Sequence, residues 1–166
     1  MSLPDVIIRT HRPGDMGLII HQHGVLYSNE YGFDDRFEAL VARITADFLE
    51  NFDSAMERCW IAERVDKFLG SIMLVKDKEH ENAAKLRLLA VSAESRGLGL
   101  GSTLVQEAIR FAKEAGYTSI VLWTQSSLVG ARKIYAKAGF QLMDTTEQEL
   151  WGHEVTSENW KLELSK

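Results

Sequence analysis

The chain has 166 residues, carries a formal net charge of −5, and is 45% hydrophobic and 26% charged. That length supports a real hydrophobic core, and the balance is that of a globular protein. The acidic balance, with Lys and Arg scattered, argues against a sequence-independent grip on nucleic acid. No segment approaches the ~20 apolar residues of a membrane span. The single cysteine, Cys59, excludes an internal disulfide. Its strand-like setting, R-C-W-I-A, reads as a buried, inert thiol. The opening M-S-L-P-D-V-I-I-R lacks the long apolar stretch of a signal peptide, so a cytoplasmic location is expected.

Val6 to Arg9 predicts a short strand. H-R-P-G-D breaks it, and Asp15 is placed to cap a helix running through Met16 to His21, with the next boundary at Gly32. Asp35 and Glu38 have the spacing of a capping box. Phe37, Leu40, Val41, Ile44 and Phe48 then recur at three and four residues, on one helical face. Cys59 to Val65 and Phe68 to Val75 predict a hairpin around a D-K turn, followed by the polar loop K-D-K-E-H-E-N. Leu86 to Val91 is another apolar strand.

Leu104, Val105, Ala108, Ile109 and Ala112 predict a helix from Thr103 to a glycine cap at Gly116. Ile120 to Trp123 is a strand. S-S-L-V-G-A-R-K-I-Y-A-K-A-G-F reads as a serine-capped helix stopped by Gly139, and Phe140–Met143 and Trp160–Leu164 complete the sheet. The order β-α-α-β-β-β-α-β-α-β-β makes one α/β domain over residues 1–166.

S-R-G-L-G-L-G-S-T between the Leu86–Val91 strand and the following helix is the most informative stretch. Glycine lets backbone approach a ligand closely, and the first N–H groups of a helix lack intrahelical partners. A strand, then glycines, then a helix makes an anion cradle suited to phosphate. Walker A fails, because Gly101 is followed by Ser102 and Thr103. The dinucleotide fingerprint fails as well, because Ser102 stands where its third glycine belongs.

Arg96, Gly99 and Gly101 fill the pattern Q/R-x-x-G-x-G/A. Ala131, Ile134, Tyr135, Lys137, Gly139 and Phe140 fill A-x-x-L/I-Y-x-K-x-G-F. On these two motifs, separated by a helix and a strand, the chain resembles the GNAT superfamily of N-acetyltransferases. H-R-P-G-D, H-G-V-L-Y and E-Y-G-F-D-D-R-F-E-A-L-V are similar to acetyltransferase domains associated with MarR-type regulators, although this chain has no room for a DNA-binding domain of its own.

The resemblance implies the GNAT fold: a central mixed, mostly antiparallel sheet of about seven strands flanked by four helices. It implies acetyl-CoA as co-substrate, no metal, a small-molecule amine or amino-acid-like acceptor, direct transfer, and compatibility with a homodimer. No direct nucleic-acid or membrane partner is expected. Leu89, Ala90 and Val91 are the positions whose backbone would pair with the pantetheine arm. Arg96, Gly97, Leu98, Gly99, Leu100, Gly101 and Ser102 would hold the pyrophosphate. Tyr135 occupies the position of the acid that protonates the departing thiolate.

No general base is legible. Lys85 stands where many family members carry glutamate. Glu30, Asp34 and Glu38 lie in the variable acceptor-side region, with Glu38 read as a cap. His21 and His23 read as surface residues, and Glu63 is a further candidate. Leu128 replaces a frequent asparagine, for which Ser126 or Ser127 could substitute. Arg87 could meet a carboxylate on an amino-acid-like acceptor, against the plainer reading of a surface salt bridge. The alternative function is a non-catalytic acyl-CoA-binding sensor of the same fold.

Overall fold

The computed structural model describes residues 5–164. The first four residues of the stretch read for a leader, and the last two of the expected domain, lie outside it. Strand β1 (Ile7–Thr10) is followed by α1 (Asp15–Tyr31), α2 (Asp35–Glu50), β2 (Arg58–Arg64), β3 (Lys67–Lys76) and β4 (Ala83–Val91). Then come α3 (Leu100–Ala115), β5 (Ser119–Gln125), α4 (Val129–Ala138), β6 (Gln141–Leu150) and β7 (His153–Glu163). The seven strands form one sheet in the order β1-β2-β3-β4-β5-β7-β6. Every pairing is antiparallel except β4 with β5, so the expected mixed, mostly antiparallel sheet with four helices is what forms.

Two apolar clusters cover the two faces. On one, α3 buries Leu104, Val105, Ala108, Ile109 and Ala112, the residues its periodicity marked, against Ile72, Leu74, Ile120 and Trp160. On the other, Met16 and Ile19 of α1 and Phe37, Val41 and Phe48 of α2 pack on Cys59, Ile61 and Met73. Burying one such Leu or Ile contributes about 1.5–3 kcal/mol. Cys59 is fully buried, and burial pushes its thiol up to about 12, consistent with an inert side chain.

Several local expectations change. Asp15 lies inside the first turn of α1, with Gly14 at the cap position, because the Arg9 guanidinium and the Arg12 amide hold its carboxylate. Asp34, not Asp35, caps α2 by accepting from the Arg36 amide, and Glu38 makes no return bond. Instead Glu38 packs over Gly24, where an added Cβ would fall 2.8 Å from its Oε1. The hairpin turn is Val65-Asp66, both at positive φ, one residue before the expected D-K. No serine side chain caps α4.

β6 and β7 are far longer than Phe140–Met143 and Trp160–Leu164. The polar run through Glu149 is nearly all exposed and forms a strand only because its backbone pairs with β7.

Candidate active site

The parallel β4–β5 pairing stops at Leu86↔Leu122, while both strands continue beyond it. β4 is bent away by a bulge. Met73 pairs with Arg87 and Ser71 with Ala90, so four residues of β4 lie opposite three of β3. Leu88 takes up the irregularity at φ 54°, an uncommon conformation for a branched side chain. The result is a cleft in the middle of the sheet, along one wall of which the β4 backbone has no partner strand and the Leu89 carbonyl accepts from the Tyr27 hydroxyl at 3.4 Å.

Gly70 keeps the bent segment in place. A Cβ there would sit 2.6 Å from the Ala90 carbonyl oxygen and 3.3 Å from the Val91 Cα. Gly70→Ala is therefore expected to displace β4 and lower stability by about 1–3 kcal/mol, read from the denaturant midpoint.

The first half of the cleft is a cavity of about 470 Å³, bordered by Leu89, Ala90, Val91, Arg96, Gly97, Gly99, Leu100, Gly101 and Ser102. Of the residues expected to meet the donor, only Leu98 stays off this wall. Gly97 and Gly99 have φ of 79° and 80°, and Gly99 is the N-cap of α3. They turn the chain into α3, whose first-turn residues Leu100, Gly101 and Ser102 border the cavity and whose first amides lack intrahelical partners. Gly101 has a different reason: a Cβ would lie 2.8 Å from Ile134 Cδ1, so it lets α3 approach α4. The spacing could not separate these two roles.

Helix α1 supplies Leu26, Tyr27 and Tyr31 to the same cavity, a contribution without a sequence signal. It also supplies Glu30, whose carboxylate accepts from both terminal nitrogens of Arg96 at 2.7 and 2.6 Å. Arg96 therefore stands beside the glycine turn already paired.

The second half is a cavity of about 360 Å³. It shares Tyr27, Leu89 and Leu128 with the first, so the two abut across these side chains. Tyr135 borders this second part. Its ring packs against Phe140 and Trp160, while its hydroxyl has no hydrogen-bond partner among the described residues. Burial pushes the phenol well above its ordinary range, so it holds its proton at neutral pH.

Leu40, Val41 and Ile44 of α2 and Trp123 of β5 give the second cavity apolar lining, and Lys85, Arg87, Thr124 and Gln125 give it polar lining. No Asp or Glu borders this cavity.

His23 is buried, not a surface residue. Its Nδ1 donates to the Ile19 carbonyl at 2.8 Å, which leaves the Nε2 lone pair without a partner among the described residues. Burial lowers its pKa to about 4, so the ring is neutral, and it borders the second cavity behind the stacked Tyr27. His21 is exposed, and Glu63 is held by Arg9, away from the cleft. Neither Ser126 nor Ser127 borders either cavity; the polar residues of β5 beside Leu128 that do are Thr124 and Gln125. Among the described residues no group of three His, Cys, Asp or Glu could hold a metal ion. None of their helices is long and apolar enough to cross a membrane.

A split sheet with a glycine turn at one end of the cleft defines an acyltransferase class, and sequence comparison agrees. A profile described as the Acetyltransferase (GNAT) family matches residues 26–140, and the chain belongs to that family. It is 36% identical over 104 residues to N-acetyltransferase 8B of Rattus norvegicus, a match covering 61% of this chain and 46% of that protein. It is 31% identical over 91 residues to N-acetylaspartate synthetase of Xenopus tropicalis, covering 55% and 33% respectively. The chain thus spans less than half the length of either relative.

Among solved structures, ribosomal-protein-alanine N-acetyltransferase from Brucella melitensis superposes with a TM-score of 0.78 at 18% identity, covering 95% of this chain and 99% of that one. The acetyltransferase yncA from Salmonella typhimurium, solved with its cofactor acetyl-CoA, gives 0.74 at 19% identity over 98% and 95%. At these identities the likeness is one of fold.

Proposed function

We propose that the protein is an acetyl-CoA-dependent N-acetyltransferase that transfers the acetyl group directly to the primary amine of a small, amino-acid-like acceptor. The observation that carries this reading is the cleft made by the two abutting cavities. It has free helix amides at one end, an apolar pocket with two cations at the other, and a protonated phenol beside the junction. The name of the relative N-acetylaspartate synthetase supports an amino-acid-like acceptor.

The first cavity fits coenzyme A by its chemistry: amides suited to a diphosphate and an unpaired strand edge suited to the amide-rich arm. When bound, acetyl-CoA supplies the activated acetyl thioester. The amides from Gly97 to Ser102 hold the diphosphate, and the backbone of Leu89, Ala90 and Val91 aligns the arm toward Leu128 and Tyr27. Tyr135 gives its hydroxyl proton to the departing sulfur, whose thiol pKa is ~8.5 by analogy with cysteine.

On the acceptor side no carboxylate stands ready to take a proton. Deprotonating a lysine-type amine at pH 7 costs about 4–5 kcal/mol, against about 1 kcal/mol for the α-amino group of a peptide, with a free amino acid between the two because its carboxylate raises the amine. The second cavity therefore suits the less basic amine, whose proton leaves to solvent.

Glu30 competes with the diphosphate for Arg96. Glu30→Gln frees the guanidinium and removes a negative charge beside the turn, so the Kd for coenzyme A is expected to fall about twofold to fivefold by titration calorimetry.

The acid-free acceptor cavity also favours a second reading, an acyl-CoA sensor that works through a partner such as a MarR-type regulator. Release of free thiol from acetyl-CoA with a pooled amine library separates the two. Turnover supports the enzyme, whereas saturable coenzyme A binding without turnover, unchanged by Tyr135→Phe, supports the sensor. The exposed edge strand β6 supports the homodimer that the family resemblance allows.

A further inference from the structure

Lys85 and Arg87 lie two apart on β4, so they project from the same face of the strand into the second cavity. Both are half-buried, and neither makes a hydrogen bond or ion pair among the described residues. Burial lowers the pKa of each, and the neighbouring Arg87 charge lowers Lys85 further. The carboxylates that act on them from a distance are Asp47, Asp77 and Glu79. Asp47 already binds Lys78 and Asn51, and Asp77 binds His80.

Two adjacent, half-buried cations with no bonded counter-ion among the described residues favour an anion that joins them. The plainer reading of Arg87 as half of a surface salt bridge does not hold. In the second cavity the pair shares its lining with Leu40 and Ile44 of α2 and Trp123, and Arg87 also borders a more open cavity with Arg43, Asp47 and Glu50 of α2, none of which bonds to it. A guanidinium takes a carboxylate through two parallel N–H bonds, and the ammonium beside it can take an oxygen of the same group.

Resting on the acetyltransferase reading above, we propose that the acceptor is a primary amine carrying a carboxylate and an apolar side chain. In this arrangement Arg87 and Lys85 bind the carboxylate, and Leu40, Ile44 and Trp123 pack on the side chain. The anchored carboxylate turns the amine toward Tyr135 and the thioester. The step itself forms the N–C bond and breaks the C–S bond; the amine loses one proton to solvent, the sulfur gains one from Tyr135, and Tyr135 regains its proton from solvent.

The test compares matched acceptors in the thiol-release assay: leucine against 3-methylbutylamine, and phenylalanine against both 2-phenylethylamine and phenylalaninamide. Loss of a charge-assisted bond should appear as a KM about tenfold to a hundredfold higher for each acceptor lacking the carboxylate. Phenylalaninamide has the less basic amine, so its poorer use cannot be ascribed to protonation. Glycine should also be a poorer acceptor than leucine.

In Arg87→Met, which keeps an unbranched apolar stem but removes the guanidinium, the ratio between acid and decarboxylated amine should collapse to within about threefold. Equal use of acids and decarboxylated amines, or an unchanged ratio in the variant, overturns the proposal while turnover leaves the acetyltransferase reading standing. Turnover of no acid also overturns it. Coenzyme A binding and turnover of the remaining amines in the same samples then show whether the broader reading falls too.

Discussion

Replacing Tyr135 by phenylalanine is expected to lower kcat by about 10²–10³-fold while leaving the KM for acetyl-CoA within about twofold. The ring does its packing against Phe140 and Trp160 without the hydroxyl, and no described residue bonds to that hydroxyl. The variant should therefore keep the thermal midpoint of the parent. A thiolate leaving into a cavity this apolar is poorly solvated, so the transition state depends on a proton supplied at the sulfur. Burial holds the phenol protonated through the neutral range, so its own ionisation should not limit the rate below about pH 10. Steady-state kinetics on the parent and Tyr135→Phe, with the midpoints measured alongside, check all of this. A loss confined to KM, or a parallel fall in the midpoint, would make the residue a packing element.

The second large effect concerns stability. Arg9 donates from Nε and Nη2 to Glu63 at 2.9 and 3.2 Å, and from Nη1 and Nη2 to Asp15 at 2.7 and 3.1 Å. One guanidinium thus binds β2, and the first turn of α1, to β1. Arg9→Met leaves Asp15 buried without its cation and is expected to cost about 3 kcal/mol. In a chain of this size that lowers the thermal midpoint by about 6–12 °C.

The pH dependence follows from the two carboxyls. Burial alone would raise Asp15, but bonds from the Arg9 guanidinium and the Arg12 amide outweigh it and hold the group below its ordinary 3.8. Hydrogen bonding from Arg9 likewise holds Glu63 below its ordinary 4.5. Depressed native values mean that this stabilisation is fully present above those ordinary values. It is lost as pH falls through the native ones. The gap between parent and variant should therefore be widest near neutrality and narrow below about pH 4. Thermal melts across pH 3–7 measure it, and a gap independent of pH would remove the ion network as its cause.

Much of this protein is legible from local pattern. Helix α3 shows its buried face at three- and four-residue spacing because one helix packs on one sheet. The glycine caps at Gly116 and Gly139 stand where left-handed backbone ends a helix. The residues expected to meet the donor, all but Leu98, border one cavity because they belong to short contiguous stretches at the end of one strand and the start of the next helix. The position of Tyr135 came with its motif.

What local pattern could not decide depends on partners distant in the chain. Glu30 reaches Arg96 across 66 residues, and Tyr27 reaches the Leu89 carbonyl across 62. Nothing in α1 announces either contact, and nothing there distinguishes exposed His21 from buried His23. β6 is almost uniformly polar and becomes a strand through its pairing with β7. The second cavity exists only because a bulge swings β4 away from β5 and brings Lys85 and Arg87 to a lining shared with α2. Periodicity records which face of one element is apolar. It carries no record of which other element meets that face, and the second half of the cleft is made entirely of such meetings.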